Sequence, residues 1–149
     1  MQKELFIKLP MQKNSMKKIV AITLLTCSVI CIASTQPAQT SKQKGSALYK
    51  QYCLTCHQAD GGGVPRMNPP LIKTSYVTGD KQKIIKWVLQ GSVEKVPIDG
   101  KTYSNNMPAQ SYLTDQQIAD VLTYIRSSFG NKSSAITATD VKTVRASIK

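Results

Sequence analysis

Two cysteines and a histidine stand close together in the chain, and their spacing suits one kind of chemistry. They are Cys53, Cys56 and His57, in the order C-x-x-C-H. Thiols at this spacing can share one helical face and add to the two vinyl groups of one porphyrin, while the next imidazole binds its iron. The motif therefore predicts covalent attachment of one haem c.

Two other uses of paired cysteines fit this chain less well. A thioredoxin-like redox pair requires a βαβ setting, and no such pattern surrounds the motif. A structural zinc site requires four Cys or His ligands. His57 is the only histidine, and the other two cysteines, Cys27 and Cys31, lie in an N-terminal apolar run. The sequence therefore favours haem c over both alternatives.

The N-terminal leader, residues 1–33, has the composition of an export signal. Lys17 and Lys18 precede the apolar run, and small and polar residues follow it, as in secretory signals. Met16 opens this signal directly, so we predict that translation starts there. Haem c is attached outside the cytoplasm, which agrees with export. We therefore expect a periplasmic or otherwise exported protein.

A lipid anchor is the alternative to a freely exported protein. Cys31 could be the lipidated first residue of a membrane-anchored lipoprotein. The residues before it, Ser28, Val29 and Ile30, match a lipoprotein signal poorly. We therefore prefer cleavage near Ser34.

The chain is strongly basic, with 20 Lys+Arg, 8 Asp+Glu and a formal net charge of +12. Such a surplus indicates the kind of partner rather than the fold. Export argues against nucleic acid, so we expect acidic redox proteins to dock on a lysine-rich face. Scattered solvated lysines are the alternative. The candidates are Lys42, Lys44, Lys50, Lys73, Lys81, Lys83 and Lys86.

The remainder of the chain reads as one helical domain between two polar segments. Residues 34–43 lack hydrophobic periodicity and predict a linker. Residues 44–131 form the predicted domain, and residues 132–149 a polar tail in which one short helical turn could begin at 139–141. We therefore expect one domain in the exported protein.

Helical patterns occupy both ends of the predicted domain. The first helix is predicted from about Lys44 to Tyr52, and another over 81–90. The last begins at Thr114, where Gln117 completes a capping box, and its apolar repeat extends to Phe129. Between the first two lies a glycine-rich turn followed by Pro69 and Pro70. A backbone carbonyl of this rigid segment is expected to accept the second N–H of the histidine.

In this order the features resemble class I cytochromes c, which are small electron carriers with one haem. The resemblance covers residues of about 44–131. It implies an all-α fold of three to five helices around one covalently bound haem c. The matching residues are Gly45 and Tyr49, Cys53, Cys56 and His57, Pro69 and Leu71, Met107 and Pro108, and Val121 and Tyr124.

The resemblance also implies a role for each matching residue. His57 would be the proximal iron ligand and Met107 the distal one. The carbonyl of Pro69 would accept from His57, and Leu71 would pack on the porphyrin. Met67 is a second methionine near the motif, but Met107 has more chain in which to reach the far face of the haem, so we expect Met67 to fill the core.

The resemblance also implies that the first and last helices of the domain cross, with Gly45 and Tyr49 packed against Val121 and Tyr124. The tail, residues 140–146, is similar to cytochrome domains found with periplasmic quinoprotein dehydrogenases.

The expected function is electron transfer rather than catalysis, because histidine and methionine ligation leaves no open position on the iron. The expected partners are a dehydrogenase as donor and a terminal oxidase or reductase as acceptor. The alternative is a gas-binding or sensing haem protein whose distal ligand is weakly held.

Overall fold

The computed structural model describes residues 39–92, 95 and 97–148 of the chain. These residues form helices and loops, with isolated bridges but no strand. The all-α fold class is confirmed; four helices have ten or more residues and two are single turns. The helices are α1 (Ser41–Tyr52), α2 (Leu54–His57), α3 (Ser75–Thr78), α4 (Lys81–Gln90), α5 (Asp115–Arg126) and α6 (Ala138–Ser147).

The first and the fifth helix cross at close range, as the resemblance implies. A Cβ atom on Gly45 would overlap the carbonyl oxygen of Asp120 and lie 2.7 Å from Cβ of Tyr124. One turn further along α1, the ring of Tyr49 packs on Tyr124 with 5.4 Å between centroids. Glycine at position 45 therefore allows the backbone contact on which the fold depends.

Capping residues set where the helices begin. Thr40 and Gln43 form a capping box, so α1 starts at Ser41 rather than at Lys44. The capping box of Thr114 and Gln117 is present as predicted, and α4 has the predicted bounds. Each box satisfies two backbone N–H groups that a helix start would otherwise leave unpaired.

The end of α5 differs from the prediction. The helix stops at Arg126, and Phe129 adopts a left-handed backbone with φ of 57°. The amide of Asn131 donates to the carbonyl oxygens of Ile125 and Leu71, at 2.8 and 2.9 Å. Asn131 thus donates to a carbonyl that the end of the helix leaves without a partner in the helix. The chain can then turn, and the ring of Phe129 packs on Tyr49 with 5.3 Å between centroids.

The segment predicted as a polar tail is largely a packed helix. Residues 138–147 form α6, which packs on α4 and α5, and Val141 and Val144 are buried. Thr137 and Asp140 cap its start. The apolar residues Val141, Val144 and Ile148 follow helical spacing. That signal was present in the sequence, but so few apolar residues make it weak.

None of the helices in the described part of the chain is long and apolar enough to cross a membrane. The predicted leader, the start at Met16, the possible anchor at Cys31 and the linker as far as residue 38 lie outside the described residues.

Candidate functional site

A deep apolar cleft opens between the helices, and all six predicted site residues line it: Cys53, Cys56, His57, Pro69, Leu71 and Met107. The empty space between its walls is about 1450 Å³, part of it open to solvent. Because most of its lining side chains are apolar, this cleft suits an apolar group. Other apolar walls are Val77, Ile84, Val88, Leu113, Val121 and Leu122.

The imidazole of His57 has one nitrogen occupied and one available. Its Nδ1 lies 3.0 Å from the carbonyl oxygen of Pro69. A carbonyl only accepts, so Nδ1 carries the proton and Nε2 keeps its lone pair. Burial lowers the pKa of His57, against the hydrogen bond to Pro69, which raises it. Within the cleft, His57 can therefore serve as a neutral nitrogen ligand for a metal.

A glycine-rich turn brings Pro69 back to the histidine. The backbone N–H of Gly63 donates to the carbonyl of His57 at 3.1 Å, and that of Leu71 donates to Gly61 at 2.7 Å. Both glycines have positive φ, and a Cβ on Gly63 would lie 2.6 Å from the Pro69 oxygen. The turn therefore requires glycine to place the acceptor of His57.

The two cysteines are free thiols at the edge of the cleft. Cys53 is half-buried and Cys56 is exposed. Burial, and to a smaller extent the neighbouring Cys56, raises the pKa of the Cys53 thiol to about 11. Redox-active C-x-x-C pairs depend instead on a lowered thiol pKa. The environment of Cys53 therefore argues against a dithiol redox site.

Met107 reaches the cleft from a loop that is attached to the end of α4. The backbone N–H of Met107 donates to Oγ of Ser92 at 2.9 Å, and Ser92 N–H donates back to the Met107 carbonyl at 2.9 Å. Gly91 has φ of 70°, and a Cβ there would overlap the Met107 carbonyl. The loop is therefore held closely by this reciprocal pair.

Met67 does not fill the core, and that prediction is wrong. Its side chain is 46% exposed and is absent from the cleft walls. Its backbone oxygen instead accepts from Asn105 N–H at 3.0 Å, and Arg66 accepts likewise from Ser104 at 2.8 Å. The Met67 segment thus supports the loop that carries Met107.

Sequence reasoning missed several residues of the site, among them Ser92 and Trp87. Ser92 holds Met107, yet its only sequence signal is its position after the helix stop at Gly91. Trp87 lines the cleft and packs edge-on against Tyr76, with centroids 5.9 Å apart. Its place on α4, one turn after the apolar Ile84, could have indicated it.

Several of the candidate docking lysines also make local contacts. Lys42 Nζ donates to the carbonyl of Ser127 at 3.2 Å, and Lys81 pairs with Asp140 at 3.7 Å. Lys83 Nζ lies 4.0 Å above the ring of Tyr76. Such contacts in exposed positions are weak and leave the charge available to a partner.

The residues of the cleft fit a covalently attached haem. Two thiols stand beside an imidazole with a free nitrogen, a thioether faces the same space, and the remaining walls are mainly apolar. Among the residues that the structure describes, no three His, Cys, Asp or Glu side chains form a cluster for another metal ion. This set matches the ligands used by c-type cytochromes.

Comparison with known proteins agrees with this geometry. The cytochrome c family profile matches residues 42–129. The chain is 38% identical over 109 residues, 71% of its length, to the cytochrome c subunit of a quinone-dependent alcohol dehydrogenase from Gluconacetobacter polyoxogenes. It is 35% identical over 108 residues, 69% of its length, to the gluconate 2-dehydrogenase cytochrome c subunit of Pantoea cypripedii.

The chain spans about a quarter of those two subunits, 23% and 24% of their lengths. It covers 84% of cytochrome c-552 of Thermus thermophilus, with 31% identity over 111 residues, 68% of this chain. These relatives are named as cytochromes c, and none supports the gas-binding alternative. The chain belongs to the cytochrome c family, binds a single haem c covalently and takes part in haem-based electron transfer.

Proposed function

We propose that this protein is an exported electron carrier whose haem iron is ligated by His57 and Met107. The observation that supports it best is that both side chains line one apolar cleft, together with the thiols of Cys53 and Cys56. With both axial positions taken, the iron has no site for substrate, so the protein transfers electrons and does not catalyse a reaction itself.

Each cysteine has a defined task in this proposal. The sulfurs of Cys53 and Cys56 would hold the haem, each through one bond to a vinyl carbon, with the thiol hydrogen added to the neighbouring carbon of that vinyl group. The two thioethers hold the haem even if an axial ligand is released. Leu71, which lines the cleft beside the proline segment, would pack on the porphyrin.

The surrounding residues keep the ligand set constant during electron transfer. Pro69 orients His57 through the bond to Nδ1, and Ser92 holds the backbone of Met107. Buried Val77, Val88 and Leu113 give the cleft apolar walls. Bound haem c supplies one electron reversibly, and a methionine ligand raises its reduction potential.

The ligand assignment is tested by replacing each methionine. Met107→Ala should abolish the weak methionine-to-iron absorption of the oxidised protein, lower the reduction potential and allow carbon monoxide to bind the reduced form. Met67→Ala is the matched control, because this side chain lies outside the cleft, and it should change none of the three. Loss of the absorption band in Met67→Ala alone would reverse the assignment of the distal ligand.

We propose a periplasmic dehydrogenase as electron donor, and an oxidase or reductase as acceptor. The support is that two of the relatives are named as cytochrome c subunits of dehydrogenases. Lys44 and Lys50 lie exposed on α1, the helix that leads into the haem-attachment motif. A positive face there would speed encounter with an acidic partner more than it tightens the complex.

Small redox reagents can test this face without the natural partner. Oxidation of the reduced protein by ferricyanide, an anion, should slow steeply as salt is added, because salt screens exposed charges. Lys44→Gln with Lys50→Gln should weaken the salt dependence. Lys132→Gln with Lys142→Gln removes the same charge elsewhere and should not. An equal loss of salt dependence in both double variants would mean that the net charge of the protein matters and the position of the lysines does not.

Export is proposed from residues 16–33 and from the requirement for haem attachment outside the cytoplasm. N-terminal analysis of the mature protein should find a start near Ser34. A lipidated start at Cys31 would indicate the anchored form, and a mature protein that begins at Met1 would contradict export by this signal.

A further inference from the structure

The last helix, α6, lies beyond the residues matched by the family profile, yet it is firmly attached to the domain. Val141 is fully buried, and Val144 is buried one turn later. At the start of the helix, the hydroxyl of Thr123 donates to the Ile136 carbonyl at 3.1 Å and accepts from Ile136 N–H at 3.0 Å. The helix is therefore a fixed part of the structure from which side chains can act on neighbouring segments.

Arg145 extends from this helix to the segment that ends the Met107 loop. Its Nε donates to Oδ1 of Asp115 at 2.7 Å, its Nη1 to the Ser111 carbonyl at 2.9 Å and its Nη2 to the Leu113 carbonyl at 2.7 Å. All three nitrogens of the guanidinium thus bind residues 111–115, a short stretch that ends at the first residue of α5. Hydrogen bonds donated by a charged group such as a guanidinium are stronger than those between neutral groups.

The bound segment is continuous with Met107. Pro108, Ala109 and Gln110 alone separate the methionine from Ser111. Gln110 N–H donates to the Val88 carbonyl at 2.8 Å, and Leu113 is buried in the wall of the cleft. Any loosening at residues 111–115 would therefore be transmitted through a few residues to the backbone of the methionine.

We propose that Arg145 is a positioning residue, through which α6 holds Met107 in the cleft and sets how firmly the distal thioether stays on the iron. The inference rests on the proposed function, since it takes Met107 as the distal ligand. Arg145 itself touches neither the cleft nor the iron. It acts by restraining residues 111–115, while Ser92 restrains the other side of Met107.

The test measures how easily added imidazole displaces the distal ligand from the oxidised holoprotein, by absorption spectroscopy. Arg145→Ala should raise the imidazole affinity at least about tenfold, because it removes three charge-assisted bonds from the segment. Arg145→Lys keeps the charge and the aliphatic stem but not the planar donor group. It should show a smaller rise, and it provides the measurement if the alanine variant fails to fold.

Two controls separate positioning from loss of stability. Lys81→Ala breaks the exposed ion pair between Lys81 of α4 and Asp140 of α6. Because such a surface pair is weak, the imidazole affinity should stay within about twofold of that of the unaltered protein. Ala119→Gly destabilises α5 one turn beyond Asp115 but keeps all three hydrogen-bond partners of Arg145. It should lower the thermal stability while the imidazole affinity stays near that of the unaltered protein.

The outcomes distinguish this inference from the proposed function. If Met107→Ala raises imidazole affinity but Arg145→Ala and Arg145→Lys do not, Arg145 has no positioning role and the ligand assignment stands. If Ala119→Gly raises it as much as Arg145→Ala at equal loss of stability, the effect is general and the inference is overturned. If Met107→Ala itself changes nothing, the ligand assignment fails and the inference fails with it.

Discussion

The two walls of the haem cleft are built in different ways. The histidine wall, residues 53–71, is one continuous stretch whose bonds run mainly within itself. His57 is linked to Gly63 and Pro69, and Leu71 to Gly61. The methionine wall, residues 103–113, is held mainly by distant parts of the chain. Ser92 binds Met107, and Arg66, Met67, Val88 and Arg145 bind other residues of the wall.

This difference has a physical consequence. Closing a short loop costs little chain entropy, so the histidine wall can form from its own sequence once glycine permits the turn. The methionine wall instead depends on contacts from Ser92 at the end of α4, from α6 and from the Met67 segment, all distant from it in the chain. We therefore expect substitutions in the histidine wall to affect haem attachment, and those around the methionine wall to affect the strength of the distal ligand.

The largest expected contrast between the walls concerns covalent attachment. Replacing both Cys53 and Cys56 by alanine should abolish covalent haem and leave the apolar cleft without its contents, so the domain should also fail to fold stably. Mass spectrometry under denaturing conditions measures attachment. Met107→Ala is the contrasting variant and should retain the full haem mass. Equal loss of haem in both proteins would contradict the proposed division.

The next effect concerns the turn of the histidine wall. Gly63→Ala should lower the free energy of unfolding by about 3 kcal/mol or more, because a Cβ there would collide with the carbonyls of Asn68 and Pro69 as well as strain the backbone. Gly100→Ala is the control, because Gly100 also has a positive φ, 77°, but a Cβ there would have no other atom within 4 Å. This control should cost only the backbone strain, about 1–2 kcal/mol. Equal losses in denaturant unfolding would show that the collision is relieved.

A smaller effect is expected at the support of the methionine wall. Ser92→Ala removes the acceptor of Met107 N–H and should cost about 1 kcal/mol of stability. It should also make the methionine-to-iron absorption more sensitive to heating. Ser104→Ala removes an exposed hydroxyl with only a long contact to Asn105, 3.5 Å, and should change neither property. Thermal melting curves of both variants, followed at the methionine-to-iron absorption band, test this difference.

The smallest effect concerns the cap of α6 and depends on pH. Hydrogen bonds from Thr137, with a lesser contribution from Lys81, lower the pKa of Asp140. A carboxyl with a lowered folded-state pKa stabilises the protein above its unfolded-state pKa of about 4, and this contribution disappears as the pH falls through the lower folded-state value. Asp140→Asn should therefore reduce stability at pH 6 by less than about 1 kcal/mol. The difference from the unaltered protein should shrink in unfolding titrations as the pH falls below about 4.

Predictions from the sequence were most successful where the determining contacts are local. The capping box at Thr114 and the bounds of α4 follow from short-range patterns and are present. The close approach at Gly45 is also present, but it joins distant residues and was implied by the resemblance to class I cytochromes c. The end of α5 was missed, because it depends on Asn131 reaching back to Ile125. The packing of α6 was missed too, because its few apolar residues give a weak pattern.

The amino-acid sequence alone determined the cofactor, since the chemistry of two thiols and an adjacent imidazole depends on covalent spacing within a few residues. It also determined the family and the helical class. The tertiary structure decided which methionine faces the cleft: Met107 lines it, whereas Met67 is exposed. In that structure Ser92 binds the backbone of Met107, and Arg145 binds residues 111–115. Those contacts join residues far apart in the chain, and only packing of the helices brings them together.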